Sequence, residues 1–328
     1  MRTLHPAVLA TAVILSATTI ATATRAVAQD YPARPIRLVT LYAAGSNSDV
    51  TARFVAQTLS MQLKQPVLVE NKGGAGGLIG TIEVLRSRPD GYTIMFAAPG
   101  LASNVFAYKN PQYKFDDFTP LGVVGLSYYG FIINSAVGAK TLAEFVAYAK
   151  ANPGKLNYGS LGPAGVSTIL AERLKRAAGI NMEMVLFKGG DPLNQALVAN
   201  DIQVYFPTLA VARQRMKLPQ ITALAVTSTQ RSKILPDLPT FKESGYPEVA
   251  DLTFWEALYG VANLPPPILQ KLRGTWAQIA ATPEFKARQE SFEREQWTGT
   301  LEQFTAFVKK ETDALAVDFK LLNIQPLD

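Results

Sequence analysis

The sequence predicts an α/β protein made of two doubly wound lobes joined by two extended crossover strands. Units of a strand, a small-residue turn and a helix recur along the chain, which is typical of doubly wound sheets. Two long extended stretches, residues 118–135 and Phe254–Val261, separate groups of such units. With 328 residues, the chain is also longer than one compact core usually holds. We therefore expect lobe 1 at 29–126 and 256–328, and lobe 2 at 127–255.

Residues 1–28 have the pattern of a cleaved secretory signal. Arg2 precedes the apolar stretch Ala7–Thr24, and small residues then lead to Ala28. No later stretch reaches the roughly 18 apolar residues that a membrane-spanning helix needs. We expect cleavage near Ala28 and a mature chain that lies outside the cytoplasm.

Removal of this signal limits the chemistry of the mature chain. The only histidine, His5, is lost with it, and the chain has no cysteine. That excludes a Ser-His-Asp triad, a cysteine nucleophile, disulfides and the usual zinc or copper sites. Without Arg2 and Arg25, 30 basic residues face 26 acidic ones. This mild excess is not a nucleic-acid signature, but it suits an anionic small ligand. We predict no enzyme, no metal and no cofactor.

The first strand–turn–helix unit predicts an anion site. Ile36–Tyr42 is a buried strand, the turn that follows is small and polar, and Ser48 or Asp49 can cap a helix. A helix that begins there directs free N–H groups and the positive end of its dipole at the turn. Taken alone, the unit is more often an ordinary βα turn with a capped helix.

The next two units complete the first lobe. Strands are predicted at Pro66–Asn71 and Tyr92–Ala97, and a small-residue loop begins at Ala98. The glycine-rich segment Lys72–Gly80 lacks the dinucleotide fingerprint because Ile79 stands where the third glycine is expected. A close-packed βα turn is the better interpretation. Loops at the carboxyl ends of such strands are where open α/β sheets bind ligands.

The second lobe repeats the pattern. Thr141 caps an amphipathic helix, and the strand Leu156–Ser160, its Gly/Pro/Ala loop and the helix Val166–Ala178 copy the opening unit. Two helix N-termini at one cleft predict a hinged binding protein that needs no metal or catalytic base. The remaining predicted elements are strands at Met184–Phe187, Val204–Phe206 and Thr222–Thr227, helices at Pro265–Ala280 and from Thr282, and a closing helix, Leu301–Phe319, against the first lobe.

Short motifs occur in a fixed order from Tyr31 to the C-terminus: Tyr31-Pro32, Arg34–Leu38, Val69–Asn71, Gly74–Gly77, Pro89–Thr93, Asn152–Tyr158, Lys188–Gly190, Ala223–Ser228 and Leu235–Thr240. In this order they resemble the Bug receptors, which are the extracytoplasmic solute receptors of tripartite tricarboxylate transporters. The resemblance implies a type II periplasmic-binding-protein fold in the periplasm. It also implies a small organic carboxylate held between two facing βα loops, and delivery to the membrane subunits of a transporter. We expect a monomer.

The candidate ligand-binding residues lie in these loops and at the ends of the neighbouring strands: Tyr42, Gly45, Ser46, Asn47, Ser48, Asp49, Ala98, Ser160, Gly165, Val166, Ser167, Thr168, Phe187 and Pro207. Several depart from the family pattern. Thr168 replaces a histidine, Leu186-Phe187 replaces Pro-Tyr, and Pro207 replaces an acid. Because polar groups and one acid are lost, we hypothesise a larger or more apolar carboxylate, such as an aromatic one, in place of an amino acid or citrate.

Some roles stay open at this level. Ser46, Asn47 and Ser48 favour ligand contact over plain turn chemistry. Asp49 fits helix capping and ligand contact equally well. Tyr42 and Phe187 either line the cleft or only pack within it. A receptor that presents its ligand to a membrane sensor shares every feature above, and a secreted enzyme using lysine or carboxylates is the remaining alternative.

Overall fold

The computed structural model describes residues 31–162 and 165–327, so the predicted signal lies outside the described residues. In chain order, the strands are β1 Ile36–Thr40, β2 Val67–Asn71, β3 Thr93–Ala97, β4 Phe118–Ser127, β5 Gly130–Asn134, β6 Leu156–Ser160, β7 Met182–Leu186, β8 Val204–Tyr205, β9 Ile221–Val226 and β10 Phe254–Val261. The α-helices are α1 Asn47–Leu63, α2 Leu78–Leu85, α3 Gly100–Ala107, α4 Leu142–Ala151, α5 Val166–Ala178, α6 Gly190–Ala199, α7 Leu209–Arg215, α8 Pro266–Ala281, α9 Pro283–Ser291 and α10 Leu301–Leu321.

These strands form two mixed sheets of five strands each. The first has the order β2-β1-β3-β10-β4, and the second has the order β7-β6-β8-β5-β9. In the first sheet β1, β2 and β3 run parallel while β10 is antiparallel to both of its neighbours. In the second, β6 is parallel to β7 and β8, and β5 is antiparallel to β8 and β9. Helices cover the sheets, and the carboxyl ends of the parallel strands supply the loops of the site.

Two passages of chain connect the sheets, as the extended stretches predicted. Residues 118–135 contain β4 in the first sheet and β5 in the second, with only Tyr128 and Tyr129 between these strands. The chain returns to the first sheet at β10. Phe254 of that strand packs edge-on against Tyr129, so aromatic contacts join the two passages.

The closing helix packs against the first lobe, as predicted, and it also packs against the second. α10 contacts α3 and β4 of the first sheet's layer. Its Leu315 and Phe319, however, belong to the apolar core of the second sheet. Arg173 of α5 also binds Asp318 of α10, with an Nη2–Oδ2 distance of 2.6 Å and little exposure of either side chain. The helix therefore joins both halves of the molecule.

The glycine-rich segment after β2 is a close-packed turn, as predicted. Gly80 lies in α2 where a Cβ atom would meet Leu41 Cδ2 at 2.7 Å and the Lys72 carbonyl oxygen at 2.8 Å. Only a residue without a side chain fits there. This close approach sets α2 against the turn that follows β1.

Candidate functional site

The turn between β1 and α1 is closed by Ser46. The Ser46 Oγ accepts a hydrogen bond from the Asp49 N–H at 3.2 Å and donates to the Ala43 carbonyl at 2.8 Å. Ser46 is thus the N-cap, and the prediction that Ser48 or Asp49 caps the helix is wrong. Within the described residues, the N–H groups of Asn47 and Ser48 have no acceptor. They are the free donors of the helix N-terminus.

Asp49 holds the turn from inside the protein. Its carboxylate accepts from the Gly45 N–H at 2.8 Å, from Asn71 Nδ2 at 2.8 Å and from Arg53 Nε at 3.1 Å. Burial alone would raise the pKa of Asp49, but the hydrogen bonds from Asn71, Gly45 and Arg53 and the Arg53 charge outweigh it and lower the pKa. The side chain is buried and fully engaged, which favours the structural role for Asp49.

Ser48 belongs to a buried polar network. Its Oγ donates to Glu256 Oε1 at 2.7 Å, and Glu256 Oε2 lies 2.5 Å from Arg294 Nη2. Arg294 Nη1 donates to Thr51 Oγ1 at 2.7 Å, which ties the network back to α1. Burial raises the pKa of Glu256, while the Arg294 charge and the Ser48 hydroxyl act in the opposite direction. Tyr42 is half-buried nearby, and burial together with the Glu256 charge raises its pKa.

In the second loop, the hydroxyls bind one another. Ser160 Oγ and Thr168 Oγ1 are 2.6 Å apart, and both lie 2.8 Å from the Gly162 carbonyl oxygen, so one hydroxyl donates to this carbonyl and accepts from the other. Ser167 Oγ donates to the Phe206 carbonyl at 3.0 Å. These hydroxyls therefore stabilise the loop. Gly165 is the N-cap of α5 without a side-chain hydrogen bond.

The other candidates lie at strand ends. Ala98 is fully buried after β3, and its carbonyl accepts from the Leu101 N–H. The Phe187 N–H donates to the Ser160 carbonyl, and its ring packs against the core beneath α6. Pro207 is buried and its carbonyl accepts from the Gly130 N–H. Val166 is half-buried in the first turn of α5.

A cavity of about 550 Å³ lies between the two sheets at the N-terminus of α1. Of the candidate residues, it brings together Ser46, Asn47 and Ser48. The other lining residues come from the first turn of α1, from the ends of β4, β8 and β10, from α7 and the residues beside it, and from the end of α9 and the segment after it: Val50, Ser127, Tyr205, Thr208, Ala210, Val211, Arg213, Gln214, Lys217, Phe254, Ser291, Phe292, Glu293 and Arg294. We call this space the interlobe cavity.

Sequence reasoning missed the contribution of α7 and of the segment after α9. The predicted strand Val204–Phe206 carried a signal, because its carboxyl end faces the same edge of the sheet as Ser160. No comparable signal marks Phe292–Arg294, which reach the cavity only through tertiary packing. Burial raises the pKa of Tyr205 to about 12, although Arg215 acts against it, so this phenol is neutral at physiological pH.

Comparison with known proteins identifies the family. The family model described as the tripartite tricarboxylate transporter family receptor, TctC, matches residues 51–317. The chain belongs to this family. BugT of Bordetella pertussis is 30% identical to this receptor over 74% of the chain and 75% of BugT.

Solved structures agree with this assignment. The periplasmic binding protein BugD is 31% identical, with a TM-score of 0.80 over 90% of this chain and 100% of BugD. An R. palustris protein solved with adipate is 25% identical, with a TM-score of 0.83 over 91% of this chain and 100% of that one. The predicted two-lobed type II periplasmic-binding-protein fold is therefore confirmed. The protein is a periplasmic solute-binding receptor, and its family is not a class of enzymes.

None of the helices in 31–162 and 165–327 is long and apolar enough to cross a membrane. The same part of the chain contains no group of three or more acids that could hold a metal ion.

Proposed function

We propose that the receptor captures a small organic carboxylate at the N-terminus of α1 and delivers it to the membrane subunits of a tripartite tricarboxylate-type transporter. The observation that carries this proposal is the pair of unbonded N–H groups, on Asn47 and Ser48, beside the interlobe cavity. A helix N-terminus favours an anion by about 0.3–1 kcal/mol when exposed and up to about 2 kcal/mol when partly buried. The exposed Asn47 amide adds a further donor at the same place.

The apolar part of the ligand faces aromatic walls in this proposal. Tyr205, Phe254 and Phe292 line the same cavity. Flat rings of this kind pack well against another planar group. They support an aromatic carboxylate as the ligand, while the adipate in the R. palustris relative shows that an aliphatic dicarboxylate suits that protein.

The proposed ligand contacts are Ser46, Asn47 and Ser48, with the Asn47 side chain and the two free N–H groups closest to the carboxylate. Asp49, Ser160 and Thr168 hold the loops in place. For export, we propose signal cleavage near Ala28, which intact-mass measurement of the periplasmic protein tests directly.

A thermal-shift screen against aliphatic and aromatic carboxylates tests the function, because a ligand that binds the folded state raises the unfolding temperature. Asn47→Asp is the informative variant. A carboxylate at the first helical position is favourable for α1 itself but repels a bound carboxylate. We expect the variant to lose ligand-induced stabilisation while its ligand-free unfolding temperature is unchanged or higher.

Asn110→Asp is the matched control, because it adds the same charge to an exposed loop of the first lobe away from the cavity. It should respond to carboxylates as the parent protein does. Undiminished binding by Asn47→Asp would show that the carboxylate binds elsewhere.

A further inference from the structure

The face of α7 opposite the α1 N-terminus is basic. Leu209 and Ala212 are fully buried beneath α7. The exposed side chains of Arg213 and Gln214, and of Lys217 just after the helix, therefore lie on the side of the interlobe cavity. Lobe 2 thus meets the α1 N-terminus with cationic side chains.

The loop between β6 and α5 offers no comparable side chain. Its Ser160 and Thr168 hydroxyls are bound to each other and to the Gly162 carbonyl, and Ser167 binds Phe206. None of these three serine and threonine residues is among those that line the cavity. The basic face of α7 is therefore the part of lobe 2 whose charge acts on this space.

The charges around the cavity do not cancel. Arg294 is paired with the buried Glu256 at 2.5 Å, and Arg213 is paired with Glu293 across the lobes at 2.6 Å. Lys217 has no acidic partner among the residues that the structure describes. One positive charge is left over on the lobe 2 side, and it lies beside a helix N-terminus that also favours anions.

We propose that Lys217, supported by Arg213, determines specificity by binding a second carboxylate of the ligand. The inference rests on the proposed function, in which the first carboxylate lies at the α1 N-terminus. The two anchors lie on different lobes, so a dicarboxylate joins the lobes and a monocarboxylate leaves Lys217 unused. Binding of the second group is sensitive to salt, because Lys217 is exposed and the Debye length is about 10 Å at 0.1 M ionic strength.

Calorimetry with ligands of one chain length tests the proposal. Adipate, hexanoate and 6-aminohexanoate each have a six-carbon chain with a carboxylate at one end. They differ only at the other end, which is a carboxylate, a methyl group or an ammonium group. We expect adipate to bind about fivefold more tightly than hexanoate at low salt, near the upper end for an exposed ion pair. The amino compound should bind more weakly than hexanoate, and high salt should reduce the advantage of adipate.

Lys217→Gln should bring the affinities for adipate and hexanoate together without weakening hexanoate. Lys155→Gln, which neutralises an exposed lysine of lobe 2 outside the cavity, is the matched control and should keep the advantage of adipate. Glu293→Gln frees Arg213 from its partner and should increase that advantage. Both lysines are exposed, so thermal unfolding of their variants should match that of the parent protein.

The outcomes separate the two proposals. If adipate and hexanoate bind equally well, or if Lys217→Gln keeps the preference for adipate, the role of Lys217 is wrong although the receptor still binds carboxylates. If 6-aminohexanoate binds more tightly than hexanoate, Glu293 selects the ligand, and the role of Lys217 is again wrong. If neither these ligands nor the wider carboxylate panel binds, it is the proposed function that fails.

Discussion

At the scale of single residues, Asp49 decides the shape of the turn that carries the proposed anion site. Asp49→Asn keeps the size of the side chain, but its amide presents a donor to groups that are donors themselves, namely Gly45 N–H, Asn71 Nδ2 and Arg53 Nε. We expect a loss of about 1–3 kcal/mol in the free energy of unfolding, since a buried donor is left without an acceptor. Urea unfolding measures this loss of stability.

The control for this substitution is Asp313→Asn. Asp313 is an exposed residue of α10, and among the residues that the structure describes its ion-pair partner is Lys309 at 3.9 Å, so the loss of its charge should have little effect. Equal stabilities of the two variants would contradict the structural role of Asp49. Normal stability of Asp49→Asn with lost carboxylate binding would make Asp49 a ligand contact.

Asp49 also shows how much of the candidate site can be predicted from the sequence alone. The small polar turn predicted an anion site, and Ser46, Asn47 and Ser48 do lie beside the interlobe cavity. The role of Asp49 stayed open because Asn71, which binds its carboxylate, is 22 residues away in the chain. Hydroxyls at Ser160 and Thr168 were expected at a ligand, yet they bind each other. Composition identifies polar groups, but only the fold decides which of them meet.

At the scale of elements, the packing of α2 against the first loop depends on Gly80. In Gly80→Ala the new Cβ would lie 2.8 Å from a backbone oxygen, that of Lys72, and 2.7 Å from Leu41 Cδ2. A backbone atom cannot move aside as a side chain can, so we expect destabilisation of about 1–3 kcal/mol. Denaturant unfolding should show it, together with weaker carboxylate binding if the loop shifts.

Gly274→Ala provides a matched control with the opposite sign. Gly274 lies inside α8 with no atom within 4 Å of an added Cβ. Replacing a helical glycine by alanine there should stabilise the protein by about 0.5–1 kcal/mol. If both substitutions stabilise the protein, Gly80 is not packed closely against Leu41 and Lys72, which contradicts the prediction.

Elements with strong local signals were predicted well, and elements defined by tertiary contacts were not. The periodic helix Val166–Ala178 has the predicted bounds. The first strand, predicted to reach Tyr42, ends at Thr40, because the next residues turn towards the Ser46 cap. α7 was not predicted at all: only Leu209 and Ala212 of its seven residues are buried, too few for a clear apolar period.

At the scale of the whole molecule, α10 links the two lobes, and Glu311 lies where it meets the chain that returns to the first sheet. The carboxylate accepts from the Thr253 N–H at 3.0 Å, just before β10. Burial raises the pKa of Glu311 to about 8, although the hydrogen bond from Thr253 and the charge of Arg173 on α5 act against it. Folding therefore favours the protonated acid at this contact between the lobes.

The sign of the resulting pH dependence follows from linkage. The pKa of this acid is near 4.5 when unperturbed and about 8 in the folded protein. Between those values the folded state holds a proton that the unfolded state has released. The contribution of protonated Glu311 is complete below pH 4.5 and is lost as the pH rises through 8. Its slope reaches at most about 1.4 kcal/mol per pH unit.

Glu311→Gln removes this titration and keeps an oxygen to accept the Thr253 N–H. We expect the variant to gain stability relative to the parent protein as the pH rises from 5 towards 9, because it has no proton to lose. Urea unfolding at several pH values measures the difference, in which the buried Glu256 cancels because both proteins contain it. If the two stability curves run parallel across this range, Glu311 is already ionised in the folded protein. The lobes would then be joined at α10 by a charged group, with Arg173 rather than a proton as its compensation.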